Sequence, residues 1–233
     1  MSSFNKRHIL YPAILFLVLA FSFEYFQWDI YLGDILYKME GGNGDTWPLK
    51  HNFITETVIH MWGKYFSLSI GLCVLILLGL SFTKKKYKHY RKPCLFLVVS
   101  TVFPLVTVSI LKSWTHVDCP WDLIRYGGDK PYIPIFTAHP GTFESDRGFP
   151  ASHSCSALMW VSLYYFFKAA KPVHQFKGLL FGLILGSIFA LGQQLRGAHF
   201  LSHDIWSLAI CWFYSTLFYC LILKKDAEKY EAG

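Results

Sequence analysis

Apolar residues along the chain gather in long runs, and the polar residues fall between those runs. Six runs approach the roughly 17–25 residues that a helix needs to cross the hydrocarbon core of a bilayer. They are Ile9–Phe26, Tyr65–Phe82, Cys94–Leu111, Cys155–Ala170, Gly178–Leu195 and Ile205–Leu223. The fourth is short, and Ser156 and Ser162 dilute it. The first is too long in total, and too free of a small-residue cleavage site, to read as a removed signal peptide, so it is expected to remain as a span. Between the first two runs, WDIYLGDILYK predicts an amphipathic interfacial helix with Trp28 and Tyr31 at the headgroup level. GGNGDTWP then breaks it. A second long segment, Lys112 to Pro150, is rich in Gly, Pro and aromatics and is expected to be ordered coil. The expected fold is all-α and a single domain over 1–233. It is an integral membrane six-helix bundle with an interfacial helix and a long outward loop.

Composition strengthens this. Charged residues make up 16% of the 233 and hydrophobic ones 53%, against about 25% charged in soluble domains. A net charge of +7 raises nucleic acid as a partner, but binding it would require the cations on one surface interleaved with stacking aromatics. Here they alternate with the spans. Fourteen of the 22 Lys and Arg lie at Lys6–Arg7, Lys84–Lys92, Lys168–Lys177 and Lys224–Lys229, all on one side of a six-span arrangement. The positive-inside rule places that side, and both termini, in the cytoplasm. No CxxC spacing occurs among the six cysteines, which argues against a zinc ribbon or a thioredoxin-like motif. Cys119 and Cys155 are either a pair or two small buried thiols.

The opposite side collects the acid–base chemistry. Lys112 ends the third run, Ser152 and His153 open the fourth, and RGAHFLSHD (Arg196 to Asp204) joins the last two. Ionisable groups at membrane depth are costly and usually tied to function. The types suit a phosphate ester. Lys and Arg supply charge and donors to its oxygens, one histidine can attack phosphorus, and a carboxylate can fix its tautomer. A second histidine can protonate the leaving oxygen. Competing readings are a snorkelling Lys112, an ion held by His199, His203, Asp204 and His153, and an Asp122–Arg125 ion pair within the loop.

With these residues in view, the chain resembles the type 2 phosphatidic acid phosphatase superfamily of membrane phosphatases. Its three motifs run K-x6-R-P, P-S-G-H and S-R-x5-H-x3-D. Here Lys112 precedes Cys119-Pro120, the second motif reads Pro150-Ala151-Ser152-His153, and the third reads Arg196-Gly-Ala-His199-Phe-Leu-Ser-His203-Asp204. Cys119 replaces the motif arginine, with Arg125 or Arg147 as stand-ins. Gln193 holds the place of the third-motif arginine, and Arg196 lies one helical turn on. His203 holds the place of the aspartate, with Asp204 one residue further.

The resemblance implies His199 as nucleophile through a phosphohistidine, His153 as general acid, and Asp204 or His203 as the orienting group. It implies Lys112, Ser152 and Arg196 as phosphate ligands, and no metal or cofactor. The implied substrate is a membrane lipid phosphate or diphosphate, such as lipid A, undecaprenyl diphosphate or phosphatidylglycerol phosphate. The expected partners are therefore this lipid and the bilayer, without nucleic acid, and nothing in the sequence speaks to oligomeric state. The cytoplasmic basic loops and the lack of organelle signals suggest a multi-pass protein of a bacterial inner membrane with a periplasmic active site. Two other classes are a transporter and a catalytically altered member that only binds lipid. The charge pattern yields a direct test. Impermeant thiol labelling of intact cells should modify a cysteine placed at Asn43 and miss one placed at Lys86, in a background without the native cysteines. The reverse pattern would invert the topology.

Overall fold

The computed structural model of the protein describes residues 2–137, 148–225 and 227. Among these, regular structure is helical, and the one strand-like pairing is a bridge between Leu123 and Lys130. Helix α1 covers Ser3–Phe26 and ends where Gln27 turns left-handed (φ 53°), which starts α2, Trp28–Met39. Helix α3 covers Ile54–Thr83 and α4 Arg91–Thr115. Helix α5 joins Ser152–Leu158, a tighter 3₁₀ turn at Met159–Ser162, and Leu163–Ala170. Helix α6 covers Gln175–Leu195 and α7 Leu201–Leu223.

Five of these helices, α1, α3, α4, α6 and α7, are long and apolar enough to cross a membrane. The expected fourth span, α5, forms as a helix but falls outside that set. Its first turns carry Ser152, His153, Ser154 and Ser156, which shorten the apolar run. It can afford them because α3, α4, α6 and α7 surround it. Cys155, Ala157, Trp160, Val161 and Tyr165 are all within 1% of complete burial. By contrast α1 packs chiefly on α7 and turns Leu15, Leu17 and Phe21 outward.

Helix α3 begins eleven residues before the run that announced it. Its first nine residues, Ile54–Trp62, form wide π-type turns. Glu56 and His60 interrupt the apolar pattern there, so the run looks shorter than the helix. Such turns recur at functional sites.

Contact between α5 and α6 depends on Gly178, Gly182 and Gly186, spaced four apart on one face of α6. A Cβ on Gly178 would lie 2.6 Å from the Leu163 carbonyl oxygen, and one on Gly182 would lie 2.6 Å from the Trp160 carbonyl carbon. Small residues at such a seam let backbones approach where no hydrophobic force drives helices together in lipid. Hydroxyls add cross-links: Trp160 Nε1 donates to Ser67 Oγ (2.8 Å), and Ser207 Oγ donates to the Ala151 carbonyl (2.9 Å).

The C-terminal ends of α4 and α6 and the N-terminal ends of α3, α5 and α7 share one end of the bundle. The basic turn Lys85–Tyr90 and the Lys168–Lys177 connection lie at the other. The long loop is ordered where described, with Leu123 and Tyr126 buried against Tyr37, Trp47 and Phe200. The Cys119–Cys155 pairing is not made. Cys155 Sγ instead lies 3.7 Å from Cys211 Sγ, because α5 and α7 face each other there.

The glycine seam makes a stability prediction. Gly182→Ala should destabilise the protein by about 1–3 kcal/mol, as overpacking does, read as a lower melting temperature in detergent. Gly71→Ala, where a Cβ meets nothing within 4 Å, should leave it unchanged or raise it. Equal behaviour of the two would sink the seam.

Candidate active site

The turn between α6 and α7 is built from its sequence upward. Helix α6 closes in a Schellman arrangement. Gly197 sits at the left-handed position (φ 70°), the Gly197 N–H donates to the Gln194 carbonyl, and the Ala198 N–H donates to the Gln193 carbonyl, both at 2.9 Å. Glycine takes that conformation without a Cβ penalty. A side chain would also strike the Trp47 ring. Trp47 Nε1 donates to the Leu195 carbonyl (2.9 Å), and the Trp121 N–H donates to the Gly197 carbonyl (2.9 Å). His199 follows directly, and Phe200, in extended conformation, starts α7.

The predicted residues converge. Lys112 Nζ, in the last turn of α4, donates to Ser152 Oγ at 3.2 Å in the first turn of α5. The rings of His199 and His203 lie 5.7 Å apart and edge-on, and the Gly148 backbone faces both. Both are buried, and each Nδ1 lacks a hydrogen-bond partner. Burial, then the charges of Lys112, His203 and His153, pushes the His199 imidazole well below its usual range. At neutral pH it is therefore uncharged, the form that carries a free nitrogen lone pair. His153 is buried, stacked on Phe189 (4.5 Å between centroids, 8° between planes), and its Nε2 has no partner.

Other placements differ from expectation. Asp204 Oδ2 accepts from Gln194 Nε2 at 2.7 Å, Ser154 lies beside the carboxylate, and no hydrogen bond joins it to His199. Arg196 caps α6. Its Nε donates to the Lys50 carbonyl (2.9 Å), its Nη2 donates to Glu56 Oε1 (3.1 Å), and its guanidinium lies over Trp121. Arg125 does not pair with Asp122. It grips Asp34 of α2 through two bonds of 2.6 Å, while Asp122 accepts from the Cys119 N–H (3.3 Å). The carboxylate of α2 wins because it meets the guanidinium with both oxygens at once. Arg147, the other stand-in for the motif arginine, lies outside the described residues.

Sequence reasoning missed Glu56, His60 and Asp29, and named Gln193 only as the residue in the place of the motif arginine. Gln193 is buried with Nε2 unpartnered. Asp29 of α2 caps α7 from outside: Oδ1 accepts from the Ser202 N–H (3.0 Å) and Oδ2 from its hydroxyl (2.5 Å). A carboxylate at a helix N-terminus satisfies an orphan donor and suits the dipole. Glu56 and His60, four apart in α3, had a detectable signal: two ionisable residues on one helical face next to an apolar run.

The architecture and the polar end together define a helical, multi-pass membrane protein with a buried cluster of histidines beside Lys and Arg. The chain matches the PAP2 superfamily over residues 93–227, and it belongs to that superfamily. Its members are phosphatases, which places the chain among the hydrolases of phosphate esters. Comparison with curated proteins and with solved structures returned no match.

Asp29 yields a pH prediction. Burial, against the two Ser202 bonds, raises its carboxyl to about 6. The folded state therefore holds this proton more tightly than the unfolded chain does. Stability is greatest below the unfolded value and falls as pH rises toward 6, by about 2–3 kcal/mol. Asp29→Asn should flatten the melting temperature between pH 4 and 6.5. An equally steep decline in the variant would remove Asp29 as its source.

Proposed function

We propose that this protein is a membrane phosphatase acting on a lipid phosphate or diphosphate, with lipid A, undecaprenyl diphosphate and phosphatidylglycerol phosphate as candidate substrates. The observation that carries it is the convergence of Lys112, Ser152, His153, Arg196 and His199 at one end of the bundle, within or beside the matched segment. The apolar helices bring a lipid's headgroup to that end and leave its chains in the bilayer. In this reading α5 is an enclosed sixth span, α2 lies in the interface, and the site faces the periplasm from a bacterial inner membrane. The basic turns at the far end support this orientation.

In this reading the neutral His199 attacks phosphorus, and the bond to the leaving oxygen breaks. His153 gives that oxygen its proton. Lys112, Ser152 and Arg196 hold the phosphoryl oxygens, and Gln193 adds an amide donor where the superfamily has arginine. Water then attacks the phosphohistidine, returns a proton to His153 and frees inorganic phosphate. Asp204 serves at one remove: through Gln194 it ties α6 to α7 on either side of the turn bearing His199. His203, whose ring stands next to that of His199, is the nearer orienting group. A lipid-binding member without turnover is the rival reading, and Cys119, in place of the motif arginine, is the observation that favours it.

The test is turnover of those lipids by purified protein in EDTA. His199→Ala should abolish activity without unfolding the protein. His203→Ala should leave a measurable remainder. His153→Ala should lower the rate about 100–10,000-fold and recover in part on an aryl phosphate, whose oxygen leaves without an acid. Acid-labile phosphate trapped on His203 would overturn the assignment. No turnover by the wild type would favour the binding protein.

A further inference from the structure

The first turns of α3 lie outside the segment that matches the superfamily, yet His60 on them meets the histidine read above as the general acid. The two ring centroids are 4.5 Å apart at 56°. Phe189 covers the other face of His153, so that ring is held between an aromatic wall and a second imidazole. We propose that His60 and His153 hold one proton between them, so that His60 decides when His153 can act as an acid toward the leaving oxygen. The inference rests on the phosphatase reading for its catalytic half only.

Two imidazolium charges at this separation repel strongly enough to split their titrations by about one to two pH units. The pair therefore takes up its protons in two separate steps. The surroundings decide which ring is first. Lys64 of α3 and Arg196 stand near both rings and oppose a second charge. Lys112 of α4 and the neutral His199 lie beyond His153. Glu56, one turn before His60, favours a proton on His60. His60 is also the less buried of the two. The first proton therefore goes to His60, and its charge adds to the burial that already opposes a proton on His153. A bound phosphate ester changes the balance, because its negative charge favours a second proton, and that proton goes to His153. The acid is then charged only when there is substrate to receive its proton. The cycle balances: His153 gives one proton to the leaving oxygen and regains one from the attacking water, while His60 keeps its own.

The experiment needs no substrate. Protein labelled with ¹³C at the histidine rings is titrated in detergent, with the His153 signal assigned by its loss in His153→Gln. His60→Phe keeps an aromatic face and removes the charge, and His60→Gln serves if the Phe variant fails to fold. The midpoint of His153 should rise by about one pH unit or more. An unchanged midpoint overturns the pairing whatever the activity. In parallel, kcat/KM for a medium-chain alkyl phosphate should keep its activity to higher pH in His60→Phe by a similar shift. With 4-nitrophenyl phosphate, which needs little acid help, the high-pH limb should stay in place. An unmoved limb with the alkyl substrate overturns the catalytic half. If the midpoint moves in a protein that hydrolyses no phosphate ester, the pairing stands and the phosphatase reading falls.

Discussion

The Trp47 indole standing against Gly197 is the contact on which the polar end is organised. Its N–H takes up the Leu195 carbonyl at the end of α6, and its ring fills the space a Cβ on Gly197 would need. That fixes the left-handed residue, the Schellman bonds close behind it, and His199 emerges two residues later at a defined point. Trp47 is itself held by Tyr37 and Tyr126, whose ring centroids lie 5.3 Å and 4.9 Å from it. Helix α2 and the long loop thus brace the turn from outside. Asp29 does the same for the start of α7. The segments between the apolar spans are therefore the clamp on the turn that carries His199.

A membrane bundle can hold this much polarity only if the polar groups face inward at its end. Helix α5 achieves that by being enclosed on all sides, so its serines and His153 meet neighbouring helices and not hydrocarbon. The Gly178–Gly182–Gly186 seam draws α6 close to it, and the buried Ser207 hydroxyl bonds to the Ala151 carbonyl at the start of α5. Burial in turn governs the chemistry. It keeps His199 uncharged beside Lys112, because in a poorly hydrated site a second cation is unfavourable.

The apolar periodicity made α1, α3, α4, α6 and α7 legible in the sequence, since each must present hydrocarbon-facing side chains along most of its length. It found α5 as a short run and missed its first turns and those of α3, because polar residues that meet neighbouring helices interrupt the apolar pattern there. The motif residues Lys112, Ser152, His153, Arg196 and His199 were legible as ionisable or polar groups at run ends, and the structure brings them together. What was not legible depends on pairing across long separations. Asp29 with Ser202 spans 173 positions, Arg125 with Asp34 spans 91, and Arg196 with Glu56 spans 140. Local spacing instead suggested Arg125 with Asp122. Nothing local reveals that a carboxylate in α2 can present both oxygens to that guanidinium.

Arg196 shows how these distant pairings bear on the departures from the superfamily pattern. An arginine three residues later in the motif than usual leaves the end of α6 at the helix cap, where it could turn to water. Glu56 and the Lys50 carbonyl hold it inward, over Trp121 and within electrostatic reach of His153. Part of its charge is thereby neutralised, and Gln193, in the usual arginine position, contributes none. The end of the bundle is left with Lys112, a partly compensated Arg196 and a His199 that burial keeps neutral. Such a site gains most from a ligand that brings negative charge, because that charge stabilises Lys112 and Arg196 together and lets a buried imidazole accept a proton. On the proposed reading, the same weakness in fixed positive charge that sets this chain apart from the motif pattern makes the protonation of its histidines responsive to an anionic substrate.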